Sequence, residues 1–277
     1  MSDFLLYNGS FHKNGTPLVG ADNRGLRYGD GLFETLRCID GKIHLADWHI
    51  ERLFHGLKLL EFELPANFTP DYITGQVAAL CQKNQHIIAR VRITIFRGNG
   101  GLYDAENHFP SYIIQSWHLP EADFQLNENG LVTGIYPDAQ KTMDAFSHLK
   151  SNNYLPYTMA ALYAKKQKWN DAFLLNVAGR VCDATIANIF IIKNAIISTC
   201  PLQEGCVAGI MRRFLLAYLP ASGLSWQEKR ITVEDLLAAD EVFLTNTIKG
   251  IRWVSRCGES SYSNHLTKVI FDKLLKK

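Results

Sequence analysis

Hydrophobic and polar positions repeat with two different periods along this chain. Between residues 87 and 96, apolar side chains such as Val91 and Ile93 alternate with polar or charged ones, which is the period of a strand. Between residues 47 and 62, apolar side chains recur every three or four positions, which predicts a helix with Asp47 as its N-cap. Because such segments are mixed without regular βαβ alternation, we predict an α+β fold.

The same patterns predict further elements and a division into domains. A hairpin is expected over residues 4–19, with its turn at Asn14-Gly15. The other predicted elements are a strand over 111–117, a helix over 156–169, a hairpin formed by 172–177 and the residues from 181 onward, a helix over 210–219, a strand over 241–246 and a helix over 263–275. A polar stretch suits a linker over 118–130, between a smaller domain (1–117) and a larger one (131–277).

Composition and charge indicate which partners are not expected. The chain has 277 residues, of which 47% are hydrophobic and 20% charged, and its net charge is +2. This balance does not suggest binding to nucleic acid or to an anionic membrane. The six cysteines show no CxxC spacing, so we expect reduced thiols in a cytoplasmic protein and no metal site. We expect no membrane span and no signal peptide, because the apolar runs are short and interrupted by polar residues.

Residues 24–37 form an unusual glycine-rich segment. Its three glycines permit positive φ or a close backbone approach, and the apolar residues after them begin a buried strand or helix. From the residues alone, the segment predicts a tight loop that enters the core. The run Tyr-Gly-Asp-Gly-Leu-Phe-Glu-Thr over 28–35 also resembles the YGDGxFET signature of the class IV aminotransferases. These are pyridoxal 5'-phosphate (PLP) enzymes of fold type IV, and they include branched-chain and D-amino acid aminotransferases and aminodeoxychorismate lyase.

This resemblance implies which residues hold PLP. Lys150 lies in a segment similar to the family's K-x-x-N-x-L and is expected to form the Schiff-base link. Asp183 lies in a segment that resembles G-x-V-x-E-x-x-x-x-N-x-F, where it replaces the usual glutamate beside the pyridine nitrogen with a side chain one methylene shorter. The expected phosphate ligands, from three further matched segments, are Arg52, the backbone amides of Ile210 and Met211 after Gly209, and Thr247.

The resemblance also implies a substrate pocket and an assembly. Thr35 is expected near the reacting carbon, as a catalytic residue beside Lys150. The expected substrate-binding residues are Tyr28, Arg37, Arg92 and Arg97. The implied architecture has two domains with PLP in the cleft between them, and a homodimer in which the neighbouring subunit completes the pocket for a small amino substrate.

Three functions fit these motifs. Arg97-Gly-Asn-Gly-Gly resembles the R-G-S-G-G of the lyases and Thr35 matches a lyase threonine, so conversion of 4-amino-4-deoxychorismate to 4-aminobenzoate and pyruvate is preferred. Leu102 replaces a second lyase arginine, which keeps open an aminotransferase acting on branched-chain or D-amino acids with 2-oxoglutarate. A catalytically inactive binding protein is a third hypothesis, which the Asp183 exchange favours and the retention of Lys150 opposes.

Overall fold

The computed structural model describes residues 3–120 and 124–275 of the chain. The chain divides into two compact units: Met1–Asp123 with Lys150–Asn153, and Phe124–Leu149 with Tyr154–Lys277. The change of unit after residue 123 falls inside the predicted linker, of which residues 121–123 lie outside the described part of the chain. The sequence did not indicate that the short segment around Lys150 belongs to the first unit.

The first unit combines one antiparallel sheet with helices. Its elements are β1 (Phe4–Tyr7), β2 (Ser10–Lys13), α1 (Arg24–Tyr28), β3 (Gly31–Ile39), β4 (Lys42–Ile43), α2 (Ala46–Leu59), α3 (Pro70–Lys83), β5 (Ile88–Arg97) and β6 (Pro110–His118). Within the described residues the strand order is β2-β1-β6-β5-β3-β4. The predicted strand over 87–96 is confirmed as β5, and the segment left open between strand and helix is strand β3. Val91 and Ile93 are fully buried on the core face, as the two-residue period predicts.

Two details of the first unit differ from the predictions. The hairpin turns at Asn8-Gly9 instead of Asn14-Gly15, because both residues adopt the positive φ (44° and 84°) that a two-residue hairpin loop requires. Helix α2 is preceded by Leu45 as its N-cap, with φ of 57° and no side-chain cap bond. Asp47 therefore lies inside the first turn of α2, where its charge still complements the helix dipole.

The second unit is built on a mixed sheet. Its elements are β7 (Leu131–Lys141), α4 (Leu155–Lys166), β8 (Asp171–Asn176), β9 (Val181–Ala184), β10 (Asn188–Lys193), β11 (Ile196–Thr199), α5 (Ile210–Tyr218), β12 (Trp226–Glu228), α6 (Val233–Leu237), β13 (Glu241–Asn246), β14 (Gly250–Cys257), β15 (Ser260–Ser261) and α7 (His265–Leu274). The order is β12-β11-β10-β13-β14-β7-β8-β9, and β15 pairs with β14. Parallel and antiparallel neighbours both occur, so the predicted α+β class is confirmed.

Helices cover both faces of this second sheet. Val242 and Leu244 of β13 pack in the core that also contains Ala160 of α4. Phe243, which points to the opposite face, stacks on Phe190 at 4.9 Å between ring centroids, in the core shared with α5 and α7. The predicted elements over 156–169, 172–177 with 181 onward, 210–219, 241–246 and 263–275 are confirmed as α4, β8 with β9, α5, β13 and α7. In the described ranges, no helix combines the length and apolar composition needed to cross a bilayer.

Candidate active site

Strand β3 fixes the position of Lys150. The Phe33 amide donates to the Lys150 carbonyl at 2.9 Å, and the Asn152 amide donates to the Gly31 carbonyl at the same distance. The Lys150 Nζ atom lies 4.3 Å from the centroid of the Phe33 ring. A Cβ atom at Gly31 would lie 2.0 Å from the Ile95 carbonyl oxygen, so only glycine permits this packing. The glycine-rich segment thus serves to hold the lysine segment against the sheet.

A buried carboxylate, Glu34, holds Arg52. Arg52 donates to Glu34 through Nε at 2.7 Å and through Nη2 at 2.6 Å, and His49 Nδ1 lies 2.8 Å from the same carboxylate. Burial opposes the charge of Glu34, but Arg52 and His49 outweigh it and lower the pKa of Glu34 to about 2. Burial lowers the pKa of His49, so the ring is neutral and donates to Glu34. Glu34 was not predicted as a site residue, although it belongs to the glycine-rich motif.

The opposite face of β3 gathers several predicted site residues. Phe33, Thr35 and Arg37 occupy every second position of the strand and so share one face. Arg92 of β5 is the cross-strand partner of Thr35. The Arg92 guanidinium lies 3.9 Å from the centroid of the Phe33 ring, which also contacts Lys150. Lys150 and Arg92 therefore both lie against the Phe33 ring, and Thr35 is on the same strand face, two positions after Phe33. Arg37 follows two positions further along the strand, where it is buried.

Arg97 differs from the other predicted substrate residues. Its guanidinium donates to the Asp30 carboxylate at 3.1 Å, to the Leu60 carbonyl at 2.5 Å and to the Glu61 carbonyl at 3.2 Å, and it also contacts the His108 ring. Only 7% of the residue is exposed. These contacts hold loops of the first unit together, so we do not retain Arg97 among the substrate residues that we propose.

Tyr28 ends helix α1 between two cations. The guanidinium groups of Arg24 and Arg27 lie 5.1 Å and 5.4 Å from the centroid of its ring. Its ring centroid is 5.6 Å from that of Tyr103, in a loop whose Leu102 and Tyr103 are 65% and 90% exposed. Arg24 donates to the backbone carbonyls of residues 100–103, so it fixes the shape of this loop.

In the second unit, Asp183 lies at the centre of a buried network. Its Oδ2 accepts hydrogen bonds from Lys141 Nζ at 2.7 Å, the Tyr157 hydroxyl at 2.9 Å and the Val207 amide at 2.9 Å. Its Oδ1 accepts one hydrogen bond, from Asn188 Nδ2 at 3.0 Å. Because a carboxylate oxygen has two lone pairs, Oδ1 can accept one more donor. The residue is only 2% exposed.

Lys141 is a functional candidate that the sequence did not reveal. It is 7% exposed and also donates to the Gly205 carbonyl at 2.5 Å. Burial opposes its charge, but the Asp183 carboxylate outweighs burial and raises the pKa of Lys141. Burial and the same carboxylate raise the pKa of Tyr157, which therefore stays a neutral donor. Lys141 lies 42 residues from Asp183 in the chain, so no local spacing signals the pair.

Helix α5 begins beside this network. A Cβ atom at its N-cap, Gly209, would lie 1.8 Å from Asn188 Oδ1, so the close approach requires glycine. Asn188 also donates to the Val207 carbonyl at 2.8 Å and thereby joins Asp183 to the start of the helix. The first amides of a helix, here those of Ile210 and Met211, have no intrahelical acceptor and carry the positive end of the helix dipole. This end of α5 suits an anion.

Thr247 follows strand β13 in a turn that a neighbouring side chain stabilises. Asn246 Oδ1 accepts from the Ile248 amide at 3.0 Å and the Lys249 amide at 2.8 Å. This arrangement is an Asx-type turn, in which the asparagine replaces a backbone acceptor. Thr247 itself is 8% exposed.

The chain belongs to the class IV aminotransferases. The model of that family, described as amino-transferase class IV, matches residues 31–257. Enzymes of this family depend on PLP, and the chain is accordingly a PLP-dependent lyase or transaminase.

Three curated relatives carry three different activities in their names. A Methanocaldococcus jannaschii protein provisionally named branched-chain-amino-acid aminotransferase is 30% identical over 88% of this chain and 84% of its own length. An aminodeoxychorismate lyase of Vibrio harveyi is 30% identical over 88% of this chain and 90% of its own length. A D-alanine aminotransferase of Bacillus licheniformis is 26% identical over 88% of this chain and 84% of its own length.

Solved structures agree with the fold. A Legionella pneumophila protein provisionally titled 4-amino-4-deoxychorismate lyase has a TM-score of 0.83 at 25% identity, covering 95% of this chain and 96% of its own. A branched-chain aminotransferase of Thermoproteus uzoniensis, solved with norvaline, has a TM-score of 0.87 at 23% identity, covering 99% of this chain and 94% of its own. The predicted fold type IV is confirmed by this likeness.

The residues of the two units fit PLP. The first unit has an amine, Lys150, and a guanidinium, Arg52. The second unit has the buried carboxylate of Asp183, whose Oδ1 atom can accept one more hydrogen bond. It also has the start of α5, where the observed packing requires a glycine at position 209. Aldehyde, phosphate and pyridine nitrogen each have a partner of the required chemistry in this set. Among the described residues no group of three or more His, Cys, Asp or Glu side chains is arranged to hold a metal ion.

Proposed function

We propose that the chain is an aminodeoxychorismate lyase, which converts 4-amino-4-deoxychorismate to 4-aminobenzoate and pyruvate. The observation that carries this proposal is the position of Thr35, which shares the face of β3 with Phe33, the ring that Lys150 contacts. A hydroxyl group at this position can assist a leaving oxygen, and a reaction that only moves an amino group does not need such a donor.

The site residues then take the following roles. Lys150 holds PLP, Asp183 binds its pyridine nitrogen, and its phosphate is bound by Arg52, Thr247 and the amides of Ile210 and Met211. When bound, PLP withdraws electrons from the substrate carbon that carries the amino group. Lys150 Nζ, once released, removes the proton from that carbon.

Thr35 acts on the group that departs. Its Oγ1 atom donates a hydrogen bond to the ether oxygen of the enolpyruvyl group. The electrons of the broken carbon–hydrogen bond form the last double bond of the aromatic ring as the carbon–oxygen bond breaks. The enolate of pyruvate leaves and takes up a proton, which balances the one that Lys150 removed, to give pyruvate. The reaction needs no keto acid as an amino acceptor, because both products come from one substrate molecule.

Arginines recognise the substrate carboxylates. The substrate has two of these groups, and Arg92 and Arg37 lie on the same sheet face as Thr35. Guanidinium groups bind carboxylates in a planar, two-point manner. We also propose a homodimer in which the exposed loop of Leu102 and Tyr103, next to Tyr28, serves the pocket of the second copy. All six cysteines are free and buried, which supports a cytoplasmic location.

A second candidate is an aminotransferase for branched-chain or D-amino acids with 2-oxoglutarate. Leu102 favours it, because an apolar side chain stands where the resemblance leads us to expect a second lyase arginine. The role of Arg97 in holding loops also removes one of the lyase-like features. The inactive-protein hypothesis loses its main support, because Asp183 retains a buried carboxylate with an acceptor position to spare.

One assay separates these functions. The PLP-loaded enzyme is incubated with 4-amino-4-deoxychorismate and no keto acid, and the products are separated and identified. We expect 4-aminobenzoate and pyruvate in equal amounts, and no product from a Lys150→Ala variant. Absence of 4-aminobenzoate, together with amino transfer from L-leucine or D-alanine to 2-oxoglutarate, would establish the second candidate instead.

A further inference from the structure

A buried threonine of the second unit has a hydroxyl group without a hydrogen-bond partner. Thr245 lies in β13 and is 2% exposed, and no partner for its Oγ1 atom occurs among the described residues. A buried hydroxyl in this state costs free energy, and most such groups in proteins are satisfied. The other buried threonines of this unit contrast with it: Thr199 Oγ1, for example, donates to the Ile189 carbonyl at 2.7 Å.

Strand pairing places this hydroxyl at the start of α5. Thr245 is the direct cross-strand partner of Asn188, so the two side chains share one face of the sheet, with Cβ atoms about 5 Å apart. The side-chain oxygen of Asn188 occupies the space beside Gly209, the N-cap of α5. Phe243, two residues before Thr245, packs on this same face in the core that contains Leu215 of α5. Thr245 therefore points to the side of the sheet on which α5 begins.

The first backbone amides of α5 have no side-chain acceptor at the N-cap. The helix spans nine residues, Ile210–Tyr218, and Gly209 provides no side-chain cap for its first amides. The residues of its first turn, Ile210-Met-Arg-Arg213, include no hydroxyl side chain. The amides and the dipole nevertheless favour an anion with several acceptor oxygens. A hydroxyl on the facing strand would complete such a set of donors.

We propose that Thr245 is a further ligand of the PLP phosphate, whose hydroxyl donates to a phosphate oxygen at the start of α5. A phosphate oxygen would supply the acceptor that this hydroxyl lacks among the described residues. This inference rests on the PLP dependence of the family and not on the lyase reaction, so the product assay above can fail while Thr245 still binds phosphate.

Binding by the unloaded protein tests the proposal without reference to activity. PLP and pyridoxal, which lacks the phosphate, are titrated into apo wild type, Thr245→Val and Thr245→Ser, with affinity followed by absorbance. We expect Thr245→Val to weaken PLP about tenfold or more, the effect of losing a hydrogen bond to a charged group, and to leave pyridoxal within about twofold. Thr245→Ser, which keeps the hydroxyl, should stay within about threefold of wild type for both ligands.

The melting temperature of the apo variants gives a second test, in which Thr245→Val is expected to lose no stability although it loses PLP affinity. Valine removes an unsatisfied buried hydroxyl without changing the side-chain shape, so apo Thr245→Val should melt at or above the wild-type temperature. The matched control Thr199→Val, which loses a satisfied bond, should melt lower and bind PLP normally. If the valine variant does not fold, Thr245→Ala replaces it and must show the same loss of PLP affinity. Unchanged PLP affinity, or equal weakening of PLP and pyridoxal, would overturn the proposal.

Discussion

The buried pair of Lys141 and Asp183 leads to a prediction about stability. Lys141 is 7% exposed and Asp183 2%, and their charged atoms are 2.7 Å apart. Replacing Lys141 with methionine keeps the unbranched shape of the side chain, shortened by the terminal amine, but leaves a buried carboxylate with only neutral donors. Removing one partner of a buried pair costs about 3–5 kcal/mol. Asp183→Asn should cost a similar amount, because it leaves a buried cation.

The double variant separates the pair from its surroundings. If each single change mainly leaves an uncompensated charge, the double variant Lys141→Met/Asp183→Asn should lose much less free energy of unfolding than the two single variants added together. The difference, which is the coupling free energy, should be about 3 kcal/mol. The control is Lys193→Met, because Lys193 and Asp240 are also 2.7 Å apart but half exposed. An exposed pair of that kind contributes less than about 1 kcal/mol.

Urea unfolding of the apo proteins measures these free energies. Of the five tryptophans, Trp48 and Trp117 lie in the first unit, so a background with both replaced by phenylalanine makes fluorescence report the second unit. The midpoint and slope of each transition give the free energy of unfolding, and equal slopes show that the denatured states are comparable. Additive single losses, or a Lys141→Met loss no larger than that of Lys193→Met, would refute the reasoning.

Three further predictions concern the first unit. The pKa of Glu34 is lowered from 4.5 to about 2, which corresponds to about 3 kcal/mol of folding free energy. This contribution is present above pH 4.5 and is lost as the pH falls from 4.5 towards 2. Urea unfolding at pH 3 and pH 6 should show the loss in wild type and not in Glu34→Gln. Arg52→Ala should weaken PLP about tenfold or more, and an unchanged affinity by titration would contradict its role as a phosphate ligand. Thr35→Val should lower kcat for 4-aminobenzoate formation about a hundredfold without changing PLP affinity, whereas equal turnover would exclude the hydroxyl from the reaction.

Local patterns were sufficient where a residue's neighbours lie close in sequence. The strand around Val91 and the helix after Gly209 are confirmed because their buried faces follow the periods of a strand and a helix. The turn at Asn8-Gly9 shows the limit of this reasoning. The chain has two Asn-Gly pairs close together, and the pairing of Tyr7 with Ser10 decides between them.

Site residues that depend on long-range contacts could not be predicted. Lys141 looks like an ordinary surface lysine in the sequence, and only the folded second unit brings it to Asp183. Arg97 lies in a lyase-like segment, and in the folded first unit its guanidinium donates to Asp30 and to the carbonyls of Leu60 and Glu61. A motif gives the residue type and order, and the fold decides which donors remain for a ligand.

The identity of the lysine that holds PLP tests the central claim most directly, because the chain has two strong candidates. Lys150 lies beside Phe33 on β3, and Lys141 is buried against Asp183. Borohydride reduction of the PLP-loaded protein, followed by proteolysis and mass spectrometry, locates the pyridoxyl group on one of them. We expect the group on Lys150 in wild type and no labelled peptide in Lys150→Ala. A pyridoxyl group on Lys141 would contradict the assignment of the site.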